Sequence, residues 1–105
     1  MTRDELSQNI KEQLQSLYGR RFRGLILYGS VARGDAGYDS DIDLLAVIED
    51  MEDVGKEIWE ITGATYKLQL GNLERLFHIM PVDAGEYETG AFALCREARR
   101  DGVAV

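Results

Sequence analysis

Leu6, Ile10, Leu14 and Leu17 recur at intervals of four, four and three residues, the apolar stripe of an amphipathic helix. Thr2 and Glu5 stand at capping-box spacing, which starts that helix near Arg3, and Gly19 stops it. Phe22 to Tyr28 ends in four consecutive apolar residues, as in a strand covered on both faces, and breaks off at Gly29-Ser30. Val31-Ala32-Arg33 then has room for a turn of helix before Gly34. A second strand is predicted over Asp41–Ile48. Between Met51 and Leu70, the positions Val54, Ile58, Ile61, Thr65 and Leu68 fit helical spacing, with Gly71 as the stop. A shorter helix followed by a hairpin strand at Ala64–Leu70 is the alternative, because Gly63 weakens a helix by about 1 kcal/mol relative to Ala. A third strand follows at Leu76–Val82, with Pro81 near its end or on an edge, since proline removes a ladder donor. Asp83 and Glu86 repeat the capping-box spacing and predict one helix to about Arg99. Asp101-Gly102 turns the chain into a short final strand, Val103–Val105. The order α-β-α-β-α-β-α-β implies an α/β (α+β) fold with one mixed or parallel sheet covered by helices.

Composition narrows the setting. The 105 residues fit one domain, 1–105, with 45% hydrophobic and 30% charged residues and no low-complexity run. The net charge of −7 disfavours general nucleic-acid binding, which needs a basic surface to displace counterions. Arg20, Arg21 and Arg23 read as a solvated loop, and Arg96, Arg99 and Arg100 as cations complementing a helix C-terminus. The single cysteine, Cys95, excludes an internal disulfide and sits in an apolar stretch as a buried small hydrophobe. Without a signal peptide or an apolar run of bilayer length, the expectation is a cytoplasmic protein with no membrane association.

The chemistry concentrates between Gly29 and Leu44. Residues two apart on a strand share a face, so Asp41 and Asp43 present neighbouring carboxylates that repel unless a cation lies between them. Mg²⁺ suits such a pair, because it takes oxygen ligands from one or two carboxylates plus substrate phosphates. A strand running into Gly29-Ser30 and a helical turn exposes amide donors and the Ser30 hydroxyl, which suit phosphate oxygens, and Arg33 lies close by in sequence.

Taken together, Gly29-Ser30-Val31-Ala32-Arg33-Gly34 and Ser40-Asp41-Ile42-Asp43-Leu44 closely resemble the signature of the DNA polymerase β-like nucleotidyltransferases. The chain length points to the minimal nucleotidyltransferase branch. The resemblance implies that Gly29 and Ser30 hold a triphosphate, with Arg33 and Ser40 in the same nucleotide-binding signature. It implies that Asp41 and Asp43 ligate two Mg²⁺ ions, and that AMP passes from ATP, or a nucleoside monophosphate from another triphosphate, to a hydroxyl. It also implies a helical HEPN-type partner, with this domain acting as the antitoxin of a toxin–antitoxin pair. Homo-oligomerisation stays open.

The pattern departs from the family in one place. Active members carry a third carboxylate on the next core strand, and here that strand contains none. Its place falls to His78, the only histidine, which could act as a base but is a poor Mg²⁺ ligand. A half-buried strand histidine with a hydrogen-bonded ring is the plainer reading. Asp83 is better explained as a helix cap, and Glu49 and Asp50 as solvated loop charges. Tyr28 and Tyr38 are candidates for stacking on a base, though packing explains each more simply. Two functions therefore stand side by side: a Mg²⁺-dependent transferase, and a degenerate relative that binds its partner without chemistry.

Overall fold

The computed structural model describes residues 1–29 and 41–105. Ser30, Arg33, Tyr38 and Ser40, and the predicted turn at Val31–Arg33, lie outside the described residues. The first helix, α1 (Arg3–Tyr18), opens on a complete capping box: Glu5 N–H donates to the Thr2 hydroxyl at 3.1 Å, and Thr2 N–H to the Glu5 carboxylate at 3.2 Å. A 3₁₀ turn (Gly19–Arg21) leads into β1 (Phe22–Tyr28). Next among the described elements come β2 (Ile42–Ile48) and α2 (Val54–Leu70), the helix capped by Asp53 accepting from Lys56 N–H. The hairpin alternative at Ala64–Leu70 is thereby set aside. Strand β3 (Phe77–Asp83) precedes α3 (Ala84–Thr89), α4 (Ala93–Asp101) and β4 (Val103–Ala104).

The expected single helix after Asp83 is two helices. Gly90 takes a left-handed conformation at φ +68° and ends α3, so the chain turns before α4 begins. Asp83 is the cap of α3, accepting from Gly85 and Glu86 N–H, and it also accepts from Met51 N–H. The arginines of α4 work in part on this neighbour. Arg96 donates to the Gly90 carbonyl and Arg99 to the Glu88 carbonyl, which satisfies the exposed acceptors where α3 stops.

The sheet runs β3-β2-β1-β4 and is mixed: β2 pairs parallel with β3, while β1 pairs antiparallel with both β2 and β4. Alternation along β2 divides the core. Ile42, Leu44, Ala46 and Ile48 face the cluster built by Leu6, Ile10 and Leu14 of α1 and Ile61 of α2. Leu45 and Val47 face the opposite way, onto Val82 and onto Cys95 and Ala98 of α4. A strand buried on both faces needs a continuous apolar run, which is what β2 supplies after Asp43. Pro81 lies on β3, an edge strand of the sheet, as its missing donor requires. Cys95 is buried, and burial pushes its thiol pKa up. No helix among the described residues is long and apolar enough to cross a membrane.

The arginine cluster is a correction to the solvated-loop expectation. Arg21 reaches Glu57 of α2 at 2.9 Å, donates to the carbonyls of Glu49 and Asp50, and lies over the Tyr18 ring; Arg23 pairs with Glu49. Glu57 is only 5% exposed and also faces the Tyr18 hydroxyl at 3.4 Å. Burial and then the Glu57 charge push the Tyr18 phenol well above its ordinary range. Arg21→Ala strips a buried carboxylate of its cation. It is expected to lower stability by about 1–2 kcal/mol, below the usual loss for a broken buried pair because the arginine itself is well exposed. The urea midpoint measures this, and an unchanged midpoint would mean that solvent already screens the pair.

Candidate functional site

β2 enters the sheet at the point where its second face is not yet covered, and there the two aspartates emerge. Asp43 stands opposite Tyr28 of β1 and opposite His78 of β3, so the three side chains form a row across the sheet on the α4 side. Asp41 lies one step outside the strand on the same face, and its Oδ2 is 3.1 Å from His78 Nε2. The Asp41 and His78 side chains are 50% and 62% exposed, open enough to meet a ligand.

The bend at the end of β1 meets this row. Gly29 has φ +79°, a left-handed conformation that glycine adopts freely. A Cβ built there would lie 2.9 Å from Asp43 Oδ2, so the carboxylate occupies the space that a side chain would fill. The missing side chain lets the Asp43 carboxylate approach the end of β1 closely. Burial, then the charges of Asp43 and Glu97, push the Tyr28 phenol pKa up, which keeps a neutral hydroxyl next to Asp43.

The strand carrying His78 is located by its preceding turn. The Gln69 side chain accepts from Phe77 N–H at 3.0 Å and donates to the carbonyls of Asn72 and Arg75, while Ile42 N–H donates to the Leu76 carbonyl. These bonds tie the exit of α2 to the start of both β2 and β3, which sets His78 beside the aspartates.

Gly29, Asp41, Asp43 and His78 are therefore brought together; Ser30, Arg33 and Ser40 lie outside the described residues. The two carboxylates on this open face are the donor type that an oxygen-preferring cation takes, whereas the imidazole nitrogen is not. Among the described residues, no three acidic, histidine or cysteine side chains already stand close enough to hold a metal ion as a set. Asp83 keeps its capping role and does not join. The sequence reading did not anticipate the Asp41–His78 contact or the position of Tyr28 and Glu97. The first follows from parallel register between distant strands and the second from helix packing, neither of which leaves a local signal.

A family model described as a nucleotidyltransferase domain matches residues 7–89. No curated protein matches the chain. Among solved structures, the fold is similar to that of a protein of Sulfolobus solfataricus assigned as a nucleotidyltransferase, with a TM-score of 0.69 and 22% identity over 95% of this chain and 76% of that one. It is also similar to a structure described as a minimal nucleotidyltransferase, with a TM-score of 0.57 and 25% identity over 100% of this chain and 97% of that one. A chain of the Shewanella oneidensis complex between a tri-AMPylated HEPN toxin and an MNT antitoxin gives a TM-score of 0.52 and 18% identity, covering 93% of this chain and 70% of that one.

Proposed function

Because the chain belongs to the nucleotidyltransferase domain family, we propose that it transfers AMP from ATP to a hydroxyl of a HEPN-type partner protein, with Asp41 and Asp43 holding Mg²⁺. The observation that carries this reading is the Asp43 carboxylate lying against the Gly29 bend, with Asp41 and His78 in contact beside it. Bound there, Mg²⁺ would neutralise charge on the triphosphate and stabilise the attacking and leaving oxygens of an in-line displacement.

The chain's own groups divide the remaining work. Amides at the Gly29 bend, with the Ser30 hydroxyl and Arg33 beyond it, bind the phosphates. The acceptor oxygen forms a bond to the α-phosphorus as the bond to pyrophosphate breaks. An imidazole that donates Nε2–H to Asp41 keeps Nδ1 as its acceptor, the atom suited to take the hydroxyl proton. Asp41 thereby orients the ring as well as holding the cation. The AMPylated HEPN toxin named for the Shewanella complex supports the choice of partner and of nucleotide. The net charge of −7 also suits docking on a basic surface.

Incubation with Mg²⁺, labelled ATP and a HEPN-type partner encoded next to this chain tests the proposal. Label on the partner, lost in the aspartate variants, supports transfer. A second reading, a binding module without turnover, is favoured by His78 standing where the family has a carboxylate. Absence of label together with intact partner binding would select it.

His78→Asp separates the two further. A third carboxylate beside Asp41 and Asp43 adds like-charge repulsion, so the metal-free variant should unfold at a lower temperature than the wild type. Mg²⁺ should then restore its stability and bind about tenfold more tightly, as a calorimetric titration would read. Equal Mg²⁺ affinity in variant and wild type would exclude the β3 position from the cation site.

A further inference from the structure

The face of α2 turned away from the sheet carries a second apolar row, which the packed core does not use. Trp59 is 81% exposed, and Tyr66 and Leu70 are exposed with it. Gly63 lies at the centre of this face, and a Cβ added there would meet nothing within 4 Å. Among the described residues, no contact therefore requires glycine at this mid-helix position, where alanine is the better helix former. Successive residues turn by about 100°, which places Trp59, Tyr66 and Leu70 on one side of Gly63 and Lys56, Glu60 and Lys67 on the other. Among the described residues, none of these three charged side chains makes an ion pair within the chain.

We propose that this face binds a second copy of the chain, as an antiparallel helix pair with its two-fold axis at Gly63. The spacing carries the choice of occupant. Glu60 precedes Gly63 by three residues and Lys67 follows it by four, so an antiparallel two-fold brings Glu60 of one copy to within about 1.5 Å, along the helix axis, of the level of Lys67 of the other. The same operation sets Trp59 against Tyr66 on the opposite side. Each pairing occurs twice by symmetry, giving two ion pairs and two aromatic pairs around a point where the absent side chain lets the backbones approach. A parallel two-fold would instead set the charged row against the aromatic row. Two lysines against one glutamate also offset locally the −7 charge that otherwise repels a second copy. The aspartate site lies on the other side of the sheet, so the association leaves it open.

Sedimentation of the full chain from micromolar to near-millimolar concentration is the test. The wild type should pass from monomer to dimer, with a blue shift in the emission of its single tryptophan. Lys67→Glu, which faces Glu60 with a like charge, should weaken the dimer about tenfold or more, and Glu60→Lys combined with Lys67→Glu should restore it. Gly63→Leu should abolish dimerisation while leaving helix content by circular dichroism undiminished. A wild type that stays monomeric, including one whose helix face serves a different protein, overturns the proposal. So does a dimer indifferent to Gly63→Leu, or a double charge exchange no better than the single one.

Discussion

Asp43→Asn is expected to slow AMP transfer about a thousandfold or more, and Asp41→Asn to do nearly the same, in the labelled-ATP assay with partner and Mg²⁺. Several kcal/mol of charge stabilisation are lost when a carboxylate holding a catalytic cation becomes a neutral amide, and each 1.36 kcal/mol is about a factor of ten. Asp43 should have the greater effect, because it lies against the Gly29 bend, where the proposed reading sets the phosphates. Asp41 has a second task in holding His78, so its replacement should also alter the pH profile of whatever activity remains. Neither variant should unfold. Removing one of two neighbouring negative charges relieves repulsion in the metal-free protein, so the melting temperature should hold or rise slightly. Activity that survives both substitutions would place the chemistry elsewhere.

Gly29→Ala should lower stability and transfer together. A φ of +79° is strained for alanine by about 1–2 kcal/mol, and the new Cβ at 2.9 Å from Asp43 Oδ2 must push the carboxylate aside. A displacement approaching 1 Å at a catalytic group costs roughly a hundredfold in rate. Thermal melts and label transfer on one preparation read both effects. A variant as stable and as active as the wild type would mean that the bend tolerates a side chain and that the close approach of Asp43 is immaterial.

Much of this was legible where the signal is local. β1 runs from Phe22 to Tyr28 as its apolar run and the Gly29 break predict, and α1 begins at the Thr2–Glu5 capping box. The apolar run after Asp43 marked a second strand, while its burial on both faces comes from the packing of α1, α2 and α4 around it. The second helix starts at Val54, the first position of its helical spacing, and Asp53 caps it by accepting from Lys56 N–H. The break at Gly90 is masked in the sequence because the apolar and polar residues on either side continue in helical register. Arg21 looked solvated because Glu57, its partner, lies on another element and reveals nothing in the local sequence. In the site, the shared face of Asp41 and Asp43 follows from strand periodicity alone. The alignment of His78 with Asp43 rests on the parallel register of β2 and β3, which leaves no mark in either strand's own sequence.

Paramagnetic broadening by Mn²⁺ in the presence of a non-hydrolysable ATP analogue addresses the cation–nucleotide site most directly. In amide spectra of the full chain, signals of Gly29, Ile42, Asp43 and His78 should vanish first, at metal concentrations that leave Lys56 and Trp59 untouched. The Asp41→Asn, Asp43→Asn double variant should abolish that selectivity. Broadening centred on other residues, or an identical pattern in the double variant, would contradict a cation held by these aspartates at the Gly29 bend.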